Sequence, residues 1–177
     1  MAHQSLTGSF LVALPGLGGD YFEDSLILLA EHSPEGSLGL VLNKPANVTL
    51  TELLEEPGVL AELPVMLGGP VATDQLYFLH SNEREYAGTH AINEEISLST
   101  SAELLDEQSL PSYLQIFVGY AGWSAGQLEQ ELSEDVWLLA PFSTEVLFYT
   151  TFAEQPEAAA AKIGIDLNLL GSSGGQH

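Results

Sequence analysis

Residues 114–132 (LQIFVGYAGWSAGQLEQEL) constrain the fold more than any other stretch, because they change from a strand pattern to a helix pattern within a few residues. Residues 114–118 form an apolar run rich in strand-forming side chains. After the last glycine of the stretch, two leucines lie four residues apart, which is helical spacing. Three glycines surround Tyr120 and Trp123. The stretch therefore predicts a strand, a glycine turn and a helix, with both aromatic side chains packed at the centre of the fold.

Two neighbouring runs earlier in the chain predict a β-hairpin. Residues 25–32 (SLILLAEH) are mostly apolar, which is typical of a strand in the middle of a sheet. A turn follows at residues 33–36 (SPEG), and residues 37–42 return as the next strand.

The remaining elements are short and consist mostly of strands. Further strands are predicted at residues 10–14, 65–67, 76–80, 92–98, 136–140 and 145–149, and short helices near residues 21–22, 50–54, 100–103 and 156–163. Strands that follow one another with few helices between them indicate an α+β fold. The length predicts one domain over residues 1–177, and we expect its tail, residues 171–177, to be disordered.

The charge of the chain is strongly acidic. It has 25 Asp and Glu residues against 3 Lys and Arg, for a formal net charge of −22. Three cations could neutralise at most ~3 phosphates, whereas nucleic-acid binders typically neutralise ~6–10. We therefore expect no direct binding of nucleic acid. The acidity fits either a solvated surface suited to solubility or a salty cytoplasm, or a site for a basic protein partner.

Several other classes of function lack support in the sequence. The chain has no cysteine, so it has no disulfide and no thiolate nucleophile. Its histidines lack the close spacing of common metal motifs, and it has no phosphate-binding G-x-x-x-x-G-K-[ST] loop, so we predict no metal and no cofactor. No run is long and apolar enough to span a membrane, and residues 1–8 lack the pattern of a signal peptide. We expect a cytoplasmic protein with no membrane contact.

Residues 122–126 (GWSAG) match the nucleophile elbow G-x-S-x-G, which presents a serine for attack on a substrate. Their context favours another interpretation. Ser124 and Gln127 have capping-box spacing, which predicts that Ser124 caps the following helix. A catalytic Ser124 stays open as the alternative, and we assign no catalytic residue.

Four residues are candidates for a shallow ligand or peptide site. Asn43 and His80 are predicted at strand ends, and Tyr120 and Trp123 lie in the predicted glycine turn. Polar groups beside aromatic rings are typical of such sites. The alternative is that these residues only hold loops together by hydrogen bonds, and a histidine at a strand end, such as His32 or His80, commonly bonds to the backbone.

The chain resembles the bacterial AlgH/YqgE family through the GYAGW motif at residues 119–123 and eight further ordered segments. These are residues 10–15, 21–22, 31–32, 36–45 (GSLGLVLNKP), 68–71 (GGPV), 78–80, 100–101 and 164–166, with Trp137 as a single match. The resemblance implies a mixed, split β-sheet curled into a pseudo-barrel with a few short helices around it. It implies no established activity.

The family is labelled as transcriptional regulators. Together with the charge, this label implies that the protein acts through a basic protein partner or a small ligand and not by direct DNA binding. The alternative is a small hydrolase that uses Ser124 or His80. The oligomeric state stays open.

Overall fold

The computed structural model describes residues 6–14, 24–53, 63–82, 89–100 and 111–167. Contacts within the chain divide it into two compact units. The first unit comprises Met1–Asn43 and Gly122–His177, and the second unit comprises Lys44–Ala121. The single domain over residues 1–177 stays a prediction from the sequence.

The first unit contains an antiparallel sheet. Its strands are β1 (Phe10–Ala13), β2 (Leu26–Ser33), β3 (Gly36–Val41) and β10 (Trp137–Ala140), in the spatial order β10-β1-β2-β3. Leu28 of β2 is aligned with Phe10 on one side and with Leu40 on the other. The continuous apolar run of β2 is therefore a central strand, as predicted, and its hairpin with β3 is confirmed.

The second unit contains the other strands. They are β4 (Pro45–Thr49), β5 (Pro64–Leu67), β6 (Val71–Ser81), β7 (Thr89–Ala91), β8 (Ile96–Ser99) and all but the last three residues of β9 (Leu114–Ser124). The antiparallel order is β9-β6-β8-β7, while β5 runs parallel to β9 and antiparallel to β4. The predicted α+β class with a mixed sheet is confirmed.

The α-helices in the described residues are short. They are α1 (Leu50–Leu53) in the second unit, and α2 (Gln127–Ser133), α3 (Thr144–Tyr149) and α4 (Gln155–Ala161) in the first unit. α4 packs against β1, β2 and β10, and α2 packs against β3 and β10. The alanine-rich helix predicted from Pro156 is confirmed in α4. Its small side chains let the helix approach the apolar face of the first sheet, where Ala159 and Ala160 are fully buried.

Strand β9 continues where the sequence predicts a turn. It passes through Gly119 and Gly122 and ends only at Ser124, so the predicted turn at Gly119 is wrong. Gly119 has φ +74°, a conformation that glycine adopts without steric cost. The glycine therefore accommodates an irregularity in the ladder with β6 instead of ending the strand.

Residues 145–149 form a helix, not the predicted strand. Ser143 precedes α3 in an extended conformation, and its side-chain oxygen accepts a hydrogen bond from the Val146 amide at 3.2 Å. This N-cap satisfies one of the free amides of the first helical turn. Val146 and Leu147 then bury one side of the helix, so capping and packing outweigh the strand propensity of the apolar side chains.

The strand predicted at residues 92–98 begins later, at Ile96. The Asn93 side-chain oxygen accepts hydrogen bonds from the amides of Glu95 at 2.8 Å and Ile96 at 3.0 Å. Such an Asx turn competes with regular backbone pairing. It separates β7 from β8.

Three predictions lie outside the described residues: the helical turn at residues 21–22, the helix that begins near residues 100–103, and the tail at 171–177. No helix in the described parts of the chain has both the length and the apolar composition needed to span a membrane.

Candidate functional site

Two buried tryptophans of the first unit share one carboxylate. Trp123 lies near the end of β9 and Trp137 begins β10, and their ring centroids are 6.1 Å apart with the planes at 76°. Oε1 of Glu131, on α2, accepts hydrogen bonds from Nε1–H of Trp123 at 3.0 Å and of Trp137 at 2.8 Å. Trp123 is only 7% exposed, so its predicted burial is confirmed, whereas Tyr120 is partly exposed and its predicted packing at the centre of the fold is wrong. The shared carboxylate fixes both rings against the helix.

The same carboxylate extends the network to the start of α2. Gln127 donates from Nε2 to Glu131 Oε2 at 3.0 Å. Its Oε1 accepts from the amide of Ser124 at 2.9 Å and from the Ser124 hydroxyl at 3.2 Å. The network therefore connects the last residue of β9 to the helix.

The predicted role of Ser124 as helix cap is wrong. The N-cap of α2 is Gly126, with φ +77° and no side-chain cap. Because β9 extends through Ser124 and two turn residues follow, the serine lies too early to reach a free helix amide. Only the backward bond from Gln127 matches the predicted capping box.

The hydrogen-bond partner of the Ser124 hydroxyl is not a base. Its exposed hydroxyl donates to an amide oxygen, Gln127 Oε1. An amide oxygen does not accept the proton that a serine nucleophile must release. This contact therefore gives no support to a catalytic serine.

An open groove lies beside the β2–β3 hairpin in the first unit. Its volume is about 390 Å³, and it is lined by Glu31, Ser33, Glu35, Gly36, Ser37, Leu38 and Trp123. The side chains of Glu31 and Glu35 are exposed, so the groove presents two carboxylates to solvent. No sequence pattern predicts this groove, because Glu31 lies within an apolar run and Glu35 lies in a turn.

Gly36 joins the hairpin to the end of β9. A Cβ atom at this position would lie 2.7 Å from the carbonyl oxygen of Trp123. Only a residue without a side chain permits this close approach. Backbone therefore packs directly on backbone where these two lining residues of the groove meet.

His32 points away from its exposed neighbour Glu31 and is buried. Its Nδ1 accepts a hydrogen bond from the Leu6 amide at 2.8 Å, which assigns the ring proton of the neutral form to Nε2. Nε2 lies 3.4 Å from Glu129 Oε2 on α2. The prediction that His32 bonds to the backbone is confirmed, and the ring also links β2 to the helix.

His80 lies in the second unit and is fully buried. Nδ1 is 2.9 Å from the carbonyl oxygen of Ser81, so it carries the proton, and Nε2 accepts from the Ser99 hydroxyl at 2.7 Å. Thr89 Oγ1 is hydrogen bonded to Ser99 Oγ in turn. This chain of polar side chains joins β6, β8 and β7, and the predicted backbone bond of His80 is confirmed.

Asn43 holds the other end of the first hairpin. Its Oδ1 accepts from the Leu26 amide at 3.0 Å, and its Nδ2 donates to the carbonyl oxygen of Asp24 at 2.8 Å. Both partners are backbone groups. Asn43 therefore does what the alternative interpretation predicts: it holds a loop.

The four predicted site residues belong to different places. Asn43 and Trp123 lie in the first unit, and His80 and Tyr120 lie in the second. Within the β6–β9 ladder, His80 is aligned with Leu114 and Tyr120 with Val71. Six residues of β9 therefore separate the two positions, or roughly 20 Å at ~3.3 Å per residue. His80 and Tyr120 border different parts of the second unit.

Within the residues that the structure describes, no three His, Asp or Glu side chains are close enough together to hold a metal ion.

The comparisons with known proteins agree on one family. A family model described as DUF179: AlgH-like matches residues 10–168. A UPF0301 protein of Thioalkalivibrio sulfidiphilus is 36% identical over 182 residues, which cover 98% of each chain. A UPF0301 protein of Pseudomonas fluorescens Pf-5 is 40% identical over 176 residues, which cover 94% of this chain and 93% of the relative.

Solved structures show the same fold. The solution structure of a protein from Pseudomonas aeruginosa described as AlgH matches with a TM-score of 0.80 and 36% identity, over 96% of each chain. A crystal structure of the protein DIP2367 from Corynebacterium diphtheriae matches with a TM-score of 0.78 over 97% of this chain and 94% of that chain. At 21% identity, the second likeness concerns the fold alone.

Proposed function

This chain belongs to the AlgH-like family, and we propose that it acts by binding a basic protein partner in the acidic groove of its first unit, and not by direct contact with DNA. The observation that supports the proposal most is the pair of exposed carboxylates, Glu31 and Glu35, in a groove of about 390 Å³. A regulatory role in the cell then passes through that partner.

The overall charge supports the choice of a cationic partner. A formal net charge of −22 attracts cations over the whole surface, and a groove with carboxylates concentrates that attraction at one place. Lys and Arg side chains of a partner would form ion pairs with Glu31 and Glu35. The groove is also lined by Trp123, Ser33 and Ser37.

The groove is held in shape before any partner binds. Gly36 packs on the backbone of Trp123, and the indole of Trp123 is hydrogen bonded to Glu131. A preformed groove lowers the entropic cost of binding. By comparison, an acidic site on a flexible loop would lose conformational entropy when a partner orders it.

The hydrolase alternative has less support. The hydroxyl of Ser124 donates to an amide oxygen, and His80 is fully buried with both ring nitrogens in hydrogen bonds. A fluorophosphonate probe that labels the native protein at Ser124 would favour the enzyme instead.

The groove is tested by calorimetric titration with an arginine- and lysine-rich peptide. Each exposed ion pair is worth ~0.2–1 kcal/mol, so Glu31→Gln with Glu35→Gln should weaken binding by about 2- to 30-fold. The matched control is Glu94→Gln with Glu154→Gln, which removes the same charge from two exposed positions elsewhere. Equal weakening by both double variants would show that only the overall charge attracts the peptide, and would overturn the groove as the site.

Direct DNA binding is tested separately. A gel shift with duplex DNA at ~150 mM salt should show no complex at micromolar protein. A shifted band under these conditions contradicts the proposed indirect role.

A further inference from the structure

In the second unit, strand β6 leaves the ladder with β9 for four residues. Val71 is aligned with Tyr120, and Leu76 is aligned with Val118. Residues 72–75 of β6 therefore lie opposite Gly119 alone. Irregularities of this kind redirect side chains and are frequent beside binding sites.

Close backbone packing holds residues 72–75, which we call the excursion, in place. A Cβ atom on Gly119 would collide with the carbonyl oxygen of Gly69 and would lie 3.1 Å from that of Val71. Ala72, within the excursion, has φ +51°, which is uncommon for a residue with a side chain. The surrounding structure must impose this conformation. The excursion is thus a fixed feature of the strand.

Two tyrosines form a corner next to the excursion. The rings of Tyr77 and Tyr120 have centroids 6.1 Å apart and planes at 84°. Both residues are partly exposed, so part of each ring contacts solvent. Burial raises the pKa of Tyr77, and the neighbouring Tyr120 and the carboxylate of Asp74 raise it further. Asp74 lies at an exposed position within residues 72–75, three residues before Tyr77 on β6, so it places a negative charge near the corner. The phenol of Tyr77 stays neutral at physiological pH.

Two aromatic walls at right angles beside a carboxylate have the chemistry of a site for an organic cation. A cation is attracted to the negative face of an aromatic ring, and quaternary ammonium groups are commonly bound between such rings. A compact inorganic cation would lose more hydration there. We propose that Tyr77, Tyr120 and Asp74, the aromatic corner, bind an organic ammonium ion in which methyl groups surround the charge.

This site is independent of the groove in the first unit. Its ligand is either a free quaternary ammonium compound or a methylated lysine side chain of a protein. The two sources share the methylated ammonium group that the rings recognise.

The proposal is tested by NMR titration of the full chain with tetramethylammonium chloride, with neopentyl alcohol as an uncharged compound of similar size and shape. The methyl signal of bound tetramethylammonium should move upfield, since it lies over ring faces, and the alcohol should bind much more weakly. Equal binding of both compounds would mean an apolar patch and would overturn the proposal, as would the absence of any saturable shift.

Variants of the corner separate the contributions. Tyr120→Leu should weaken binding by about 3- to 30-fold, because it removes one ring face, whereas Tyr120→Phe keeps the face and should change binding less than about twofold. Asp74→Asn, at an exposed position, should weaken the binding of tetramethylammonium and leave the binding of neopentyl alcohol unchanged. If Tyr120→Phe and Tyr120→Leu weaken binding equally, the ring face is not the binding element and the proposal fails.

A last titration distinguishes the sources. A peptide with a trimethylated lysine that binds more tightly than tetramethylammonium assigns the corner to a modified protein. A peptide that binds no better assigns it to a small molecule.

Discussion

The two units each contain a pair of aromatic rings with the same separation and a similar interplanar angle, but the two pairs differ in burial and hydrogen bonding. The Trp123 and Trp137 centroids are 6.1 Å apart at 76°, and the Tyr77 and Tyr120 centroids are 6.1 Å apart at 84°. The indoles are buried and donate to one internal acceptor, Glu131. The phenols are partly exposed. Ring geometry alone therefore does not distinguish a core contact from a recognition surface; burial and hydrogen bonding do.

The largest expected difference between the pairs is in stability. Trp123→Ala removes a buried side chain and should lower the free energy of unfolding by about 3–5 kcal/mol. Tyr120→Ala removes a partly exposed ring and should cost nearer ~1 kcal/mol. Urea denaturation followed by circular dichroism measures both. Similar losses of stability for the two variants would contradict the distinction between the buried tryptophan pair and the partly exposed tyrosine pair.

The next largest expected effect is the loss of stability when Glu131, the acceptor of both indole N–H groups, is replaced. Glu131→Ala leaves two buried N–H groups without their acceptor, at ~1–3 kcal/mol for each such group, so we expect a total loss of about 2–6 kcal/mol. Glu131→Gln keeps a side-chain oxygen and should lose less. Glu134→Ala, at an exposed position of the adjoining turn, is the control and should change stability by less than ~0.5 kcal/mol. A loss for Glu131→Ala no larger than that of the control would show that the indoles do not depend on this carboxylate.

The smallest effect concerns the ionisation of Tyr77. Its pKa is raised above 10.0 by burial, by Tyr120 and by Asp74. Because the folded state holds this proton more tightly than the unfolded chain, the associated stability is complete below pH ~10 and is lost as pH rises through the higher pKa of the folded state. An ultraviolet titration of the tyrosines should show one component that forms phenolate at a higher pH than an ordinary tyrosine, and Tyr77→Phe should remove that component. A Tyr77→Phe titration identical to that of the parent protein contradicts the assignment.

Local signals were sufficient for part of the fold. The hairpin of β2 and β3 follows from one continuous apolar run and a Ser-Pro-Glu-Gly turn, which are adjacent in the sequence. The burial of Trp123 follows from its glycine-rich surroundings. Both depend on interactions that a reader of the sequence can identify without knowing the fold.

The remaining features depend on partners that are distant in sequence. Gly119 predicts a turn from the sequence, because nothing near it in the chain shows that Val71 and Gly69 lie beside it in the fold. Residues 145–149 have strand propensity, and only the Ser143 cap and burial of one face make them helical. The shared role of Glu131 and the Ser99 partner of His80 are likewise invisible, because the spacing of these residues matches no motif.

The close pairing of the two tryptophans has a consequence for spectroscopy. Trp123 and Trp137 are the two tryptophans of the chain and both belong to the first unit. Their fluorescence therefore reports on a single place, and energy transfer at 6.1 Å makes the two emissions inseparable in practice. Coincident transitions by independent probes are the usual criterion for two-state unfolding. An unfolding curve from tryptophan emission describes the first unit, and the second unit requires a probe of its own.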